Sequence, residues 1–198
     1  LLKKGADVGV MKAFEAQMGD PAALIFKKRK QAMSDLLERA QESYAMISGD
    51  SERLEIEYKP NLVVEEPDSF LESLEKNRRR DEILHSTSKG PHRDDFLIKL
   101  NGMAAADYAS EGQQRSTVLA LSLAIIRFWQ ERLKVSPVVL ADDVLGELDT
   151  ERRKRFWDAV DPELQFIASG TQLPEDREEQ DWKVFRVSEG SFEPDLSC

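Results

Sequence analysis

The clearest break in the polar and apolar pattern falls at Val138-Val139-Leu140-Ala141, four apolar residues in succession, followed at once by Asp142 and Asp143. A run without alternation predicts a strand buried on both faces of a parallel sheet. Upstream the period is helical. Met33, Leu36, Leu37, Ala40, Tyr44 and Ile47 recur on one stripe, predicting a long helix that opens at Asp20-Pro21 and ends at Gly49 in a left-handed cap. Residues 1–19 carry weaker helical patterning, interrupted by Gly5 and Gly9, and predict a frayed beginning. Leu54, Ile56 and Tyr58 alternate with charged residues, as in a half-exposed strand, and 61–66 predict a second, shorter one. Pro67 breaks that pattern. Ser69 with Glu72 then has the form of a capping box for a helix to about Leu84, apolar early at Phe70, Leu71 and Leu74 and charged later.

The polar loop 86–89 is the best internal boundary, separating a helical arm or lobe with a short strand pair (1–85) from a second unit (86–198). In that unit GPHRDD (90–95) precedes a strand at 96–100, and Asn101-Gly102 has the residues of a tight hairpin turn returning antiparallel over 103–106. SEGQQRS (110–116) leads into an apolar helix over about 113–133. After the central strand come a helix over about 150–160, a buried strand at 164–168 and the polar turn Ser169-Gly170-Thr171. A last alternating strand spans 182–187, with Gly190 as its turn. Strands alternating with helices predict an α/β layer structure. No repeat or low-complexity tract occurs.

Composition narrows the class. The 198 residues suffice for one core, or one core with a projecting subdomain. No apolar run approaches the roughly 20 residues that span a bilayer, and no secretory leader is visible. The single cysteine, Cys198, excludes a disulfide framework within the chain, so a reducing cytoplasm is the expected location. Because the first residue is Leu1 rather than Met, residues before it are expected. A net charge of -10 argues against a wholesale nucleic-acid-binding surface but leaves room for local basic patches. KKRK (27–30), RRR (78–80) and RRKR (152–155) are the candidates, and each also reads as the solvated face of a helix.

Two stretches carry candidate chemistry. Carboxylates at the carboxyl end of a parallel strand, as at Asp142 and Asp143, are placed to hold a hydrated magnesium ion and to orient a water. The plain alternative is a solvated turn. In SEGQQRS, Ser110 supplies a hydroxyl, Gly112 allows close backbone approach, and a helix begins with unpaired N–H groups, which together suit phosphate oxygens. The plain alternative is an ordinary helix cap. His92 and Arg93 read either as nucleotide or DNA contacts or as a pin for their loop. Asp94 and Asp95 read either as metal ligands or as turn residues. Trp129, Trp157 and Trp182 are spaced as core or edge residues, not as a stacking platform for single strands.

ASEGQ, an apolar helix, VVLADD and GELD follow one another in the order and spacing of the signature motif, Walker B and D-loop of ABC-type ATPase heads. With GPHRDD upstream, the chain resembles the C-terminal part of the RecF family, SMC-related heads of bacterial recombination. The likeness is close over 90–171 and looser over 20–60. It implies an α/β fold: the C-terminal part of an ABC-type head with a helical arm. It implies that Asp142 holds Mg2+ and that Asp143 polarises the attacking water, where most ABC heads have glutamate. Ser110, Gly112 and Gln113 would contact ATP bound to the opposite subunit, Asp149 would be the D-loop acid, and Thr171, with Ser169 beside it, would take the switch position. Glu111 departs from the general signature glycine, and Gly146 from the serine usual before ELD.

No GxxxxGK[ST] occurs in these residues, so the resemblance implies a C-terminal fragment that binds ATP poorly by itself. The family's work would be ATP-driven homodimerisation on gapped DNA with slow hydrolysis, in recombinational repair, the SOS response and replication-gap processing, alongside RecO and RecR. Two rivals are a metal-dependent nuclease built from Asp94, Asp95, Asp142 and Asp143, and a purely structural arm or dimerisation module.

Overall fold

A computed structural model describes residues 7–49, 52–143, 148–171 and 182–194. The first helix, α1 (Val8–Glu15), forms where a frayed start is predicted. The reason is Asp7, whose carboxylate accepts the Gly9 N–H at 2.8 Å and caps the helix despite the glycine in its first turn. The long helix α2 (Gly19–Ser48) begins one residue ahead of Asp20 and closes at Gly49, φ 81°, in the expected left-handed cap. Along its stripe Ala40, Tyr44 and Ile47 are fully buried.

Strand β1 (Leu54–Lys59) follows as the alternation predicts. Residues 61–66, by contrast, form no strand. Their polar groups bond to side chains and loops instead: the Asn61 N–H donates to Asp94 at 3.0 Å, and Asn61 Oδ1 accepts from the Gly90 N–H at 3.2 Å. Helix α3 (Pro67–Leu84) starts at the proline itself, two residues before the predicted capping box. Proline's fixed φ and missing N–H suit the first helical position, so Ser69 lies inside the helix and its hydroxyl donates back to the Glu66 carbonyl at 2.7 Å. Ion pairs from Arg78 to Glu15 (2.6 Å) and Lys12 to Glu75 (3.1 Å) fasten α1 to α3.

A short 3-10 helix, Pro91–Arg93, leads into β2 (Asp95–Leu100). Asn101 (φ 51°) and Gly102 (φ 80°) both turn left-handed, as a two-residue hairpin needs. The returning strand β3 (Met103–Ala104) is shorter than predicted, because α4 (Ala105–Tyr108) takes over and buries Ala105. β1 pairs antiparallel with β2 from Leu54↔Leu100 to Lys59↔Asp95, giving the sheet order β1-β2-β3. This sheet joins strands from both sides of the 85/86 division.

Asp94 anchors this region. Its carboxylate, only 4% exposed, accepts from Arg29 (2.9 Å), the Tyr58 hydroxyl (2.5 Å) and the Asn61 N–H. Burial and the bond to Asp94 push the Tyr58 phenol up to about 12. Asp94→Ala would leave three donors without their acceptor and is expected to cost about 3 kcal/mol of stability. A urea denaturation midpoint unchanged from the parent would refute that anchoring role.

The rest of the chain alternates: α5 (Glu111–Leu133), β4 (Val139–Asp142), α6 (Thr150–Ala159), β5 (Phe166–Ser169), then the hairpin β6 (Phe185–Ser188) and β7 (Ser191–Pro194). β4 and β5 are parallel, in register from Val139↔Phe166 to Asp142↔Ser169. Trp182 precedes β6 instead of opening it; its ring stands edge-on to Trp157 at 4.9 Å. The main core gathers Ala40, Tyr44 and Ile47 of α2, Leu119 and Leu123 of α5, and Phe156 and Trp157 of α6. α2 and α5 run antiparallel, tied by Arg132 to Asp35 (3.1 Å) and by Arg127 to Ser43 (3.1 Å). No helix among the described residues is long and apolar enough to cross a membrane.

The expectation of strands buried on both faces is corrected here. α6 covers one face of β4–β5 through the contacts of Phe156 and Trp157 with Phe166. On the other, Leu140 is 75% and Ile167 54% exposed. An apolar run asks for two covering layers, and among the described residues it receives one. Val118, Ile125, Trp129 and Leu133 likewise leave an exposed apolar stripe along α5.

Candidate functional site

Two constellations form, each at element ends. The first lies where β4 and β5 finish side by side. Asp142 is the last residue of β4, paired with Ser169, the last of β5. The Ser169 hydroxyl donates to Asp142 Oδ1 at 2.5 Å, which fixes that carboxylate by one oxygen. Asp143 turns into the left-handed region, φ 49°, a conformation that aspartate tolerates. Its N–H is held by the Ser169 carbonyl and hydroxyl, both at 3.2 Å. Both acids are exposed, and Thr171 lies exposed just beyond β5. Hard carboxylate oxygens on a rigid strand end suit a hydrated magnesium ion. Gly146 lies outside the described residues.

The second constellation is built on the N-termini of α5 and α6. Ser110 caps α5: its Oγ accepts the Gln113 N–H at 3.3 Å, and its own N–H donates to Gln113 Oε1 at 2.8 Å, completing a capping box. The cap uses the serine hydroxyl as an acceptor, so its O–H is left to donate to an anionic oxygen, beside the open N–H groups of the helix. The plain cap and the phosphate site are thus compatible. Gln113 reaches further, donating through Nε2 to Glu52 at 2.7 Å. Glu52 in turn accepts from the hydroxyl of fully buried Tyr44, whose phenol is pushed up by burial and by that carboxylate. Asp149 caps α6 with Oδ1 on the Arg152 N–H at 2.8 Å. The Arg152 guanidinium lies near Asp149 (Nε to Oδ2, 3.6 Å) and runs across Gly112, where a Cβ would fall 2.9 Å from Nη1.

The structural readings of the 86–95 loop are the ones the contacts favour. His92 Nε2 meets the Thr87 carbonyl at 2.9 Å and Arg93 donates to Ser86 at 3.3 Å. With Asp94 tied to Arg29, Tyr58 and Asn61, the four-acid nuclease site has lost one member to the fold. Among the described residues no group of three or more His, Cys, Asp or Glu gathers as a metal site. Glu52 was not singled out by sequence reasoning, and Arg152 entered it only as part of the basic run 152–155. Arg152 had a signal: it stands three residues after an N-cap aspartate, where a capping box has Glu or Gln and the helix dipole disfavours a cation.

No family model matches the chain. It is 36% identical over 173 residues to "DNA replication and repair protein RecF" of Gloeothece citriformis, covering 84% of this chain and 45% of that protein. With the protein of the same name from Leptospira interrogans it shares 34% identity over 200 aligned positions, covering 98% of this chain and 54% of that one. Among solved structures, "Structure of the recombination mediator protein RecF-ATP in RecFOR pathway" superposes with a TM-score of 0.77 at 27% identity, over 98% of this chain and 52% of that chain. The chain spans about half the length of the curated relatives it matches.

Proposed function

We propose that the chain, which is similar to RecF proteins over nearly all of its residues, forms the signature, Walker B and D-loop half of an ATP-driven, DNA-binding head. The observation that carries this reading is the joint end of the parallel strands β4 and β5, where Asp142, Asp143 and Ser169 converge. Asp142, held by Ser169, is the residue that would carry Mg2+, through water. Bound Mg2+ would supply charge neutralisation on the β- and γ-phosphates. Asp143, its backbone pinned by Ser169, orients the attacking water and takes up its proton. Ser110 and the N-terminus of α5 offer donors to ATP held by a second copy, and Asp149 stands at the same junction. Gln113, with its amide engaged by Ser110 and Glu52, shapes that turn from within. Thr171 follows Ser169 as the switch residue.

Two such heads would close on ATP and on DNA and reopen on slow hydrolysis. The work is recombinational DNA repair at replication gaps in the cytoplasm, with RecO and RecR as partners. The remaining half of the head, bearing the lysine phosphate loop, is needed for ATP to bind. In that complete head Asp142→Asn is expected to reduce the magnesium dependence of ATP affinity, because the substitution keeps the shape and removes the charge. A magnesium titration of nucleotide binding that coincides with the parental curve would show the metal assignment to be wrong.

A further inference from the structure

The charge of Arg152 is out of place by the ordinary rules of helix ends. It lies in the first turn of α6, where the dipole is positive, and reaches toward the first turn of α5, which is positive too. Of the residues around it, Asp149 lies 3.6 Å from Nε, and the Tyr44 hydroxyl is near enough to feel its charge. Its side chain is 21% exposed, so the guanidinium is largely packed. What it packs on is Gly112: a Cβ there would stand 2.9 Å from Nη1 and 4.0 Å from Cζ. Of the twenty side chains, only glycine's hydrogen leaves this crossing open without a shift of the arginine.

Resting on the composite-site reading above, we infer that Arg152 is a positioning residue that locks the Ser110–Gln113 turn to Asp149, so that the donors offered to the partner's ATP and the D-loop acid move as one unit. Three features support this. Asp149 fixes the arginine at its root, through the N–H bond at 2.8 Å. The guanidinium lies over the one residue of the turn that has no side chain. Independently, Glu52 grips Gln113 at 2.7 Å and is itself held by Tyr44. The turn is therefore held twice, by a clamp from α6 and by one from the loop after α2. Arg152 touches no reacting atom in this scheme; it acts through Gly112 and Asp149.

The test uses the complete head and reads three quantities on each sample: ATP affinity of the monomer, ATP-dependent dimerisation by sedimentation, and melting temperature. Arg152→Ala should bind ATP as the parent does and dimerise about tenfold more weakly. Arg152→Lys, which keeps the charge but not the planar fork, should recover part of the loss. Gly112→Ala should also weaken dimerisation, and adding Arg152→Ala to it should bring little or no further loss, since the clash and the clamp are one contact. Parental dimerisation by Arg152→Ala overturns the inference, as do strictly additive losses in the double variant. A fall in melting temperature and monomer ATP binding together, without recovery by lysine, marks a merely structural role and overturns it as well. Ser110→Arg serves as the control for the underlying reading. If it abolishes dimerisation while Arg152→Ala does not, the inference alone fails; if the parent stays monomeric with ATP, the composite site fails and takes the inference with it.

Discussion

Asp143→Asn is expected to slow ATP hydrolysis by the complete head about 100-fold or more, the usual contribution of a positioned general base, while ATP binds as in the parent. The geometry makes this a clean substitution. Asp143 sits at φ 49° with its N–H shared between the Ser169 carbonyl and hydroxyl. Asparagine tolerates that backbone conformation as well as aspartate does, so the turn should survive and only the basic oxygen is lost. The phosphates would be held by other groups, which is why affinity should not follow rate. Single-turnover hydrolysis beside equilibrium ATP binding separates the two. Hydrolysis at the parental rate would mean that Asp143 has been given the wrong task.

Ser110→Arg is expected to leave ATP binding by each monomer intact and to abolish ATP-driven dimerisation. The arginine removes one half of the capping box, the hydroxyl that accepts the Gln113 N–H at 3.3 Å, at a cost of about 1 kcal/mol. That is too little to unfold a helix packed along α2. Its larger effect is steric and electrostatic, because a long cation fills the space that a second head needs for approach. Sedimentation with ATP and magnesium, beside nucleotide binding on the same sample, reads both expectations. A variant that dimerises like the parent refutes the action of Ser110 across the interface. A monomer that no longer binds ATP refutes it too, because Ser110 would then serve its own subunit.

The residues bearing candidate chemistry were legible because their signals are local. Asp142 and Asp143 announce themselves by ending an apolar run, and Ser110 and Asp149 obey the grammar of helix caps, with Gln113 three residues after the first. Tertiary contacts are what the sequence hides. The stretch 61–66 read as a short strand, but Asp94 and Gly90, distant in sequence, claim the polar groups of Asn61. Pro67 read as a breaker when it was an opener, since the same fixed φ does both. The run 138–141 declared that it wanted two covers, but the pattern cannot say where the second comes from; Leu140 remains 75% exposed. Arg152 looked like one more charge on a solvated face because its partner, Gly112, lies in another helix altogether.

The antiparallel pairing of α2 and α5 has a mechanical consequence. The cross-links fall between residues 35–43 of α2 and residues 127–132 of α5, so the first half of α2 runs on past the end of its neighbour. A 30-residue helix is about 45 Å long. It is clamped near its base by Tyr44, through Glu52, to the turn that begins at Ser110. Such a helix acts as a lever, and its far end magnifies any rotation of its mount. A tilt of about 5° at that clamp would sweep the far end of α2 through roughly 3 Å, given the ~38 Å from Tyr44 to Gly19. The α1–α3 layer, packed there through Phe70 and Leu74 of α3 on Ala22 and Phe26 of α2, would register as a displacement what the other end feels only as a change of angle.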